Sequence, residues 1–179
     1  LELEIDRDGK KYFIEFENGD AKFPLKEKGK SKTSGTTINF LPSKEIFSNT
    51  KFDSSIVQNR MRELAYLNRG LKISIIDKSG AKLKEFTNKY DGGIDEFVEF
   101  LNKKKESLLN KNGNELFRKS IAISGKKNDT LVECSIKWNA GYSEEVLAFT
   151  NNIFQKDGGT HLLGFRSALT RVINKYANE

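Results

Sequence analysis

A β-hairpin pattern at the beginning of the chain is the feature that most constrains its fold. Apolar and polar residues alternate over residues 1–7 and again over residues 11–17, and the two runs flank the pair Asp8-Gly9. An Asp-Gly pair tolerates the left-handed backbone that a two-residue hairpin turn needs. The pattern therefore predicts two antiparallel strands, each with one apolar face.

A third strand is predicted over residues 36–41, where Pro42 ends it because proline cannot donate to a β-ladder. Between the hairpin and this strand lies the segment 22–32, which carries five Lys against one Glu. That composition is typical of a solvated, mobile loop, and we predict one there.

The rest of the chain alternates between helical and strand periodicity. Apolar residues at helical spacing predict three helices: the first is capped by Asp53 or Ser54, and the others follow Gly92-Gly93 and Gly158-Gly159. Alternating runs predict hairpins over 71–88 and 118–138 and a further strand over 142–153. This order of elements indicates an α+β fold with mixed sheets. A domain boundary is expected near residues 90–93.

The charge distribution makes an anionic partner plausible without proving one. The net charge is +6, and the segment 103–127, with seven Lys and one Arg against two Glu, has a local net charge of +6 by itself. Such a segment suits a nucleic-acid contact, but it is also typical of a solvated, variable loop.

The residues show no self-contained catalytic or metal site. The chain has neither a P-loop nor a G-x-G-x-x-G motif, and its single cysteine and single histidine cannot make a zinc site without carboxylates. Cys134 lies in an alternating run and is predicted to be a small buried core residue, while His161 is interpreted as structural. The Gly-Gly pairs at 92–93 and 158–159 could expose amides to an anion, but plain turns are the simpler reading.

No apolar run approaches the ~20 residues that span a membrane, and no signal peptide is evident. We therefore expect a cytoplasmic protein with no membrane partner. The chain begins in a strand pattern at Leu1 without an initiator Met, which suggests a segment of a longer protein.

Four segments resemble a known family in order and spacing. Residues 60–70 read RMRELAYLNRG, residues 90–102 read YDGGIDEFVEFLN, residues 136–153 read IKWNAGYSEEVLAFTNNI, and residues 157–174 read DGGTHLLGFRSALTRVIN. Together they resemble the ATPase subunits of bacterial type IIA DNA topoisomerases, and in particular the gyrase B family. The Leu-Asn-Arg-Gly and Gly-Gly-Ile-x-x-Phe-Val forms favour gyrase over topoisomerase IV. The lysine-rich segment 103–119 matches no family pattern.

The resemblance implies an architecture and an activity. Residues 1–92 would form the C-terminal portion of a Bergerat-type (Hsp90-like) ATPase domain, and residues 93–179 the N-terminal portion of a ribosomal S5 domain-2-like transducer domain. The full-length protein would use ATP and Mg²⁺ to drive DNA strand passage and negative supercoiling. The family's main nucleotide motifs would lie outside this chain, so no catalytic residue is assigned here and the chain alone is expected to be inactive.

The resemblance also implies site residues and partners. Thr36 matches the threonine near the adenine, and Arg7 matches the arginine at the pocket mouth where coumarin inhibitors bind. Arg166 and Arg171 are candidates for the basic lining of a DNA cavity. The implied partners are the gyrase A subunit, a second gyrase B protomer in an assembly with two copies of each, and double-stranded DNA. Ordinary structural roles remain open for all four residues: a strand former for Thr36, a surface charge for Arg7, and a solvated helix face for the two others.

Three alternatives stay open. The chain could belong to a topoisomerase IV ATPase subunit. It could be a non-enzymatic, basic α+β nucleic-acid-binding module, which the charge of segment 103–127 would suit. It could also be a degenerate homologue that serves only as a protein-interaction domain.

Overall fold

The computed structural model describes all 179 residues and divides the chain into two compact units, Leu1–Asp53 and Ser54–Glu179. The chain is α+β, as predicted, with three helices and eleven strands. Every strand pairing is antiparallel, so the expectation of mixed sheets was wrong. None of the helices combines the length and apolar character needed to cross a lipid bilayer.

The first unit is a five-stranded sheet. Its strands are β1 (Glu2–Arg7), β2 (Lys10–Glu17), β3 (Asp20–Ala21), β4 (Lys26–Lys30) and β5 (Gly35–Asn39). β1 lies between β2 and β5, and the far edge of β2 pairs with both β3 and β4. Asp8 and Gly9 have φ angles of 52° and 77°, which confirms the predicted hairpin turn.

The prediction of a loop over residues 22–32 was wrong, because Lys26–Lys30 forms a strand on β2. Its lysines do not face an apolar core. Instead they lie along an exposed sheet edge, where Lys10 pairs with Glu27 at 2.8 Å and Lys26 lies 4.0 Å from the ring centre of Phe23. Lysines on an edge strand discourage pairing with other chains, so the same composition suits a strand as well as a loop.

The second unit begins with α1 (Ser54–Leu67), the hairpin β6 (Ile73–Asp77) and β7 (Lys84–Asn88), and α2 (Ile94–Asn102). It continues with the hairpin β8 (Ile121–Lys127) and β9 (Thr130–Ile136), the short hairpin β10 (Phe149–Thr150) and β11 (Ile153–Phe154), and α3 (Thr160–Asn178). The predicted helices and the first two of these hairpins are confirmed. The strand predicted over 142–153 was wrong: within it only Phe149–Thr150 and Ile153 are in strands, and Asn151-Asn152 turns the chain back between them.

The core of the second unit is aromatic. Tyr66 on α1 is 4% exposed and its ring stacks on that of Tyr90 with 3.6 Å between centroids. The ring of Phe97 on α2 is also stacked on that of Tyr66, with 4.8 Å between centroids. Ala65 is fully buried beside Tyr66. Aromatic side chains supply much apolar area per residue, so a few rings can hold α1 and α2 together.

The β8–β9 hairpin is only partly covered. Every residue of β8 is exposed, and β9 is exposed until Cys134. Cys134 is therefore half-buried and not fully in the core as predicted, and its partial burial raises the pKa of the thiol.

Candidate functional site

The first candidate site is one face of the N-terminal sheet. Strand register places Leu3 opposite Ile38, Ile5 opposite Thr36, and Arg7 opposite Lys10. Because directly paired residues project to the same side of an antiparallel sheet, one face carries Leu3, Ile5, Ile14, Thr36 and Ile38, with Arg7 at its end. We call this the Thr36 face.

The opposite face of the same sheet is polar. Glu4 and Asp6 lie there with Lys11, whose Nζ is 3.6 Å from Glu4 and 3.9 Å from Asp6. Thr37 also projects to this side, since it pairs with Glu4. The alternation thus gives one mostly apolar face and one mostly charged face, on which Phe13, the partner of Glu4, is an apolar exception.

The structure brings the two predicted pocket residues together. Thr36 pairs with Ile5, and Arg7 lies two residues further along β1 on the same face. Such diagonal neighbours are typically about 7–8 Å apart between Cα atoms. Thr36 is exposed, and the guanidinium of Arg7 lies 3.4 Å from the carboxylate of Asp8 with 76% of its side chain exposed. The same face also carries Tyr12, which pairs with Ile5, so the apolar surface is bordered by hydroxyl groups and by the guanidinium of Arg7 and is suited to a planar, polar-edged ring.

The two predicted DNA-contacting residues do not behave alike. Arg166 on α3 forms an ion pair with Glu144, with a second contact of 3.4 Å between Nη1 and Oε2. Arg171 is exposed and has no ion pair. Five residues on a helix correspond to about 140° of rotation, so the two guanidinium groups do not lie on one face.

A further polar cluster joins two of the four segments that carry the family resemblance. Arg60 on α1 and Asn68, the residue directly after α1, both hydrogen bond to Asn152, in the turn between β10 and β11. Sequence reasoning marked these segments as characteristic but did not predict the contact. The Asn-Asn pair was the usable signal, since asparagine tolerates positive φ and hence a tight turn.

No metal centre is formed by the residues of this chain. His, Cys, Asp and Glu side chains do not come together in groups of three or more. A Mg²⁺ ion that accompanies a nucleotide would therefore need carboxylates or waters from elsewhere, and the residues present do not fit such an ion.

Comparison with known proteins gives one consistent family. Residues 93–179 match the family model described as DNA gyrase B. The whole chain is 41% identical over 180 residues to the DNA gyrase B protein of Streptococcus pyogenes and 41% identical over 181 residues to the DNA topoisomerase 4 B protein of Enterococcus faecalis. It spans about a quarter of the length of these curated relatives, 26% and 25% respectively.

Solved structures agree with the sequence comparison. The 43K ATPase domain of Thermus thermophilus gyrase B, solved in complex with an aminocoumarin, superposes with a TM-score of 0.80 at 35% identity, covering 99% of this chain and 46% of that one. The DNA gyrase B protein from Myxococcus xanthus has the same fold, with a TM-score of 0.79 at 21% identity, covering 99% of this chain and 50% of that one.

The fold and the identity along the whole chain place its relatives among the B subunits of bacterial DNA gyrase and topoisomerase IV. Within that class, residues 93–179 carry the match to the gyrase B family, and the whole chain is similar in sequence to gyrase B.

Proposed function

We propose that this chain is part of the ATPase subunit of a type IIA DNA topoisomerase, in which ATP binding and hydrolysis drive the passage of one DNA duplex through another. The observation that carries the proposal is the 41% identity to gyrase B over 100% of the chain. The 0.80 TM-score to a gyrase B ATPase domain supports it. Because the chain spans about a quarter of its relatives, the activity is that of the full-length protein, and the chain alone is expected to hydrolyse no ATP.

Within that protein, the Thr36 face forms a floor of the nucleotide pocket. Its apolar strands offer a surface for the adenine ring, the Thr36 hydroxyl can exchange a hydrogen bond with a ring nitrogen or its water, and Arg7 lies at the mouth. The aminocoumarin bound to the Thermus thermophilus domain is consistent with an inhibitor site at such a mouth. The catalytic base, the phosphate-binding lysine and the Mg²⁺ ligands are supplied by other parts of the full-length protein.

The second part of the chain would relay the nucleotide state to the DNA-cleaving partner. Residues 1–92 would belong to the ATPase domain and residues 93–179 to the transducer. The family match that begins at residue 93 supports this division. Arg166 and Arg171 would contact DNA backbone phosphates, which carry no sequence information. The partners would be gyrase A, a second copy of gyrase B and double-stranded DNA.

The test uses the full-length protein with its gyrase A partner and a relaxed plasmid. We expect ATP-dependent introduction of negative supercoils. With a non-hydrolysable analogue in place of ATP, supercoiling should stop after a single turnover. ATP-dependent decatenation and relaxation without supercoiling would instead assign the chain to topoisomerase IV, the reading that the equal identity to the Enterococcus faecalis protein supports. Absence of both ATP hydrolysis and strand passage would contradict the proposal.

A non-enzymatic nucleic-acid-binding module remains the second candidate, because segment 103–127 carries a net positive charge. Two lysines of this segment already form ion pairs and are less available to DNA: Lys105 pairs with Glu145 at 2.5 Å and Lys126 with Asp129 at 3.4 Å. Fluorescence anisotropy of the 179-residue chain with a labelled duplex separates the readings. Tight binding that weakens steeply with salt would favour the module, and weak binding is expected of the topoisomerase segment.

A further inference from the structure

The turn between β10 and β11 is held through both the backbone and the side chain of Asn152. Arg60 Nη2 donates to the carbonyl oxygen of Asn152 at 3.0 Å, and Asn152 Nδ2 donates to Asn68 Oδ1 at 3.0 Å. Asn68 in turn donates from Nδ2 to the carbonyl oxygen of Leu64 at 2.8 Å. The turn is therefore connected to α1 by a backbone acceptor and a side-chain donor at once.

The partners on α1 are themselves fixed. Arg60 also forms an ion pair with Glu63 one turn along the helix, and Asn68 is tied to the last turn through Leu64. A guanidinium that is shared between a carboxylate and a carbonyl has little rotational freedom left. These side chains present a fixed docking point and not a mobile surface contact.

The hairpin cannot hold its own position. Each of its strands has two residues, and a short isolated hairpin is marginal at best. Asn151 and Asn152 have φ angles of 49° and 66°, a conformation that is costly for most side chains. The contacts with α1 must therefore decide where this turn lies.

The hairpin leads directly into α3. Gln155 N donates to the carbonyl oxygen of Ala148 at 2.8 Å, and Gly158 N donates to the carbonyl oxygen of Gln155 at 3.0 Å. α3 then begins at Thr160. Hydrogen bonds thus hold the chain from the turn that contacts α1 as far as Gly158, two residues before α3 begins.

We propose that Asn152 is a positioning residue: α1 fixes the β10–β11 turn through Arg60, Asn68 and Asn152, and the turn fixes the beginning of α3. In the full-length protein this contact transmits the position of α1 to α3, a consequence that rests on the proposed function. The positioning itself does not depend on any activity and can be measured without one.

The decisive variant is Asn152→Gly in the full-length protein, with Asn151→Gly as its matched control. Glycine adopts positive φ freely, so both substitutions keep the turn conformation. Only the first removes the amide that bonds to Asn68, whereas the exposed Asn151 side chain makes no hydrogen bond. Loss of one net hydrogen bond corresponds to about a fivefold change in a local equilibrium.

Amide hydrogen exchange reports the result. We expect exchange at residues 160–168 to become about fivefold faster in Asn152→Gly and to stay unchanged in Asn151→Gly. Equal exchange in the two variants would overturn the proposal. Should Asn152→Gly unfold, Arg60→Lys replaces it: lysine keeps a charge for Glu63 but cannot bridge to the Asn152 carbonyl, and Arg62→Lys on the same helix is its control.

Strand passage per ATP hydrolysed gives the readout that a purely structural role would not move. We expect Asn152→Gly to keep the KM for ATP of the Asn151→Gly control and to lower the number of strand passages per ATP by about fivefold. An unchanged ratio would overturn the coupling role. If the parent protein itself shows no ATPase activity, the proposed function fails, and hydrogen exchange still decides whether Asn152 positions α3.

Discussion

Lys137 Nζ donates a 2.7 Å hydrogen bond to Glu99 Oε2, and only 11% of the lysine side chain is exposed. The other oxygen of Glu99 accepts from the backbone N–H of Ser120 at 2.7 Å, and Lys137 also reaches the carbonyl oxygen of Arg118 at 3.3 Å. One carboxylate on α2 thus ties down the chain on both sides of the β8–β9 hairpin, which has little apolar cover of its own.

We expect Glu99→Gln to lower the free energy of unfolding by about 1–2 kcal/mol, because it leaves a nearly buried lysine with only the longer, 4.0 Å contact to the carboxylate of Glu115. The matched control is Glu145→Gln, which removes the exposed carboxylate that pairs with the half-buried Lys105 and is expected to cost below about 0.5 kcal/mol. Urea denaturation of both variants measures the difference. Equal losses would show that the Glu99 pair contributes no more than a surface ion pair.

Tyr66 makes the free energy of unfolding depend on pH in the alkaline range. Burial raises the pKa of its phenol above the ordinary value of 10.0, with Tyr90 as a second cause. The folded state therefore keeps the proton where the unfolded state releases it. This contribution to stability is fully present below about pH 10 and is lost progressively as the pH rises above that value.

The comparison of wild type with Tyr66→Phe isolates that effect, since other tyrosines and lysines titrate in both. We expect the unfolding free energy of the wild type to fall more steeply than that of Tyr66→Phe between about pH 9 and pH 11, as followed by urea titration at each pH. Parallel pH profiles would contradict the prediction. Tyr66→Ala is expected to cost about 3–5 kcal/mol at any pH through lost packing.

Substitution by alanine should change the stability in opposite directions at two glycines. Gly93 is buried with a φ angle of 65°, and a Cβ there would lie 2.5 Å from Arg69 Cγ. Gly164 lies within α3, where a Cβ would meet no atom within 4 Å. We expect Gly93→Ala to destabilise the protein by about 1–2 kcal/mol and Gly164→Ala to stabilise it by about 0.5–1 kcal/mol. Thermal unfolding measures both, and a loss at Gly164 would reveal that another surface packs against α3.

Thr36 and Thr37 are adjacent in sequence and project to opposite faces of the sheet. In the full-length protein, we expect Thr36→Val to weaken ATP binding about fivefold to tenfold, because valine keeps the shape and removes the hydroxyl. Thr37→Val, on the polar face, should leave affinity unchanged. Titration calorimetry with a non-hydrolysable nucleotide gives both constants, and equal affinities would remove Thr36 from the pocket.

Local patterns predicted most of the elements correctly. The hairpin at Asp8-Gly9 and the helix that begins at Ser54 follow from turn chemistry and apolar spacing within about fifteen residues. The segment 26–30 was missed because lysine-rich composition does not distinguish a loop from an edge strand. The segment 142–153 was predicted as one strand, and the turn preference of Asn151-Asn152, which tolerate positive φ, was not taken into account.

The candidate site, like the fold, was only partly predictable from the sequence. The resemblance pointed to Thr36 and Arg7, but only strand register shows that they share a face, since a shift of one residue would place them on opposite sides. The contact of Asn152 with Arg60 and Asn68 could not be predicted, because about ninety residues separate the partners and no local rule acts over that distance.

The sequence by itself indicated the resemblance to the gyrase B family, the α+β class and the position of most turns, because these depend on local backbone preferences and on the order of characteristic segments. The tertiary structure decided which residues meet, namely Glu99 with Lys137 and Asn152 with α1, and it placed Thr36 and Arg7 on one face of the sheet. The physical reason is that a hydrogen bond or ion pair needs atoms within about 3 Å, and only the folded backbone brings residues distant in sequence that close.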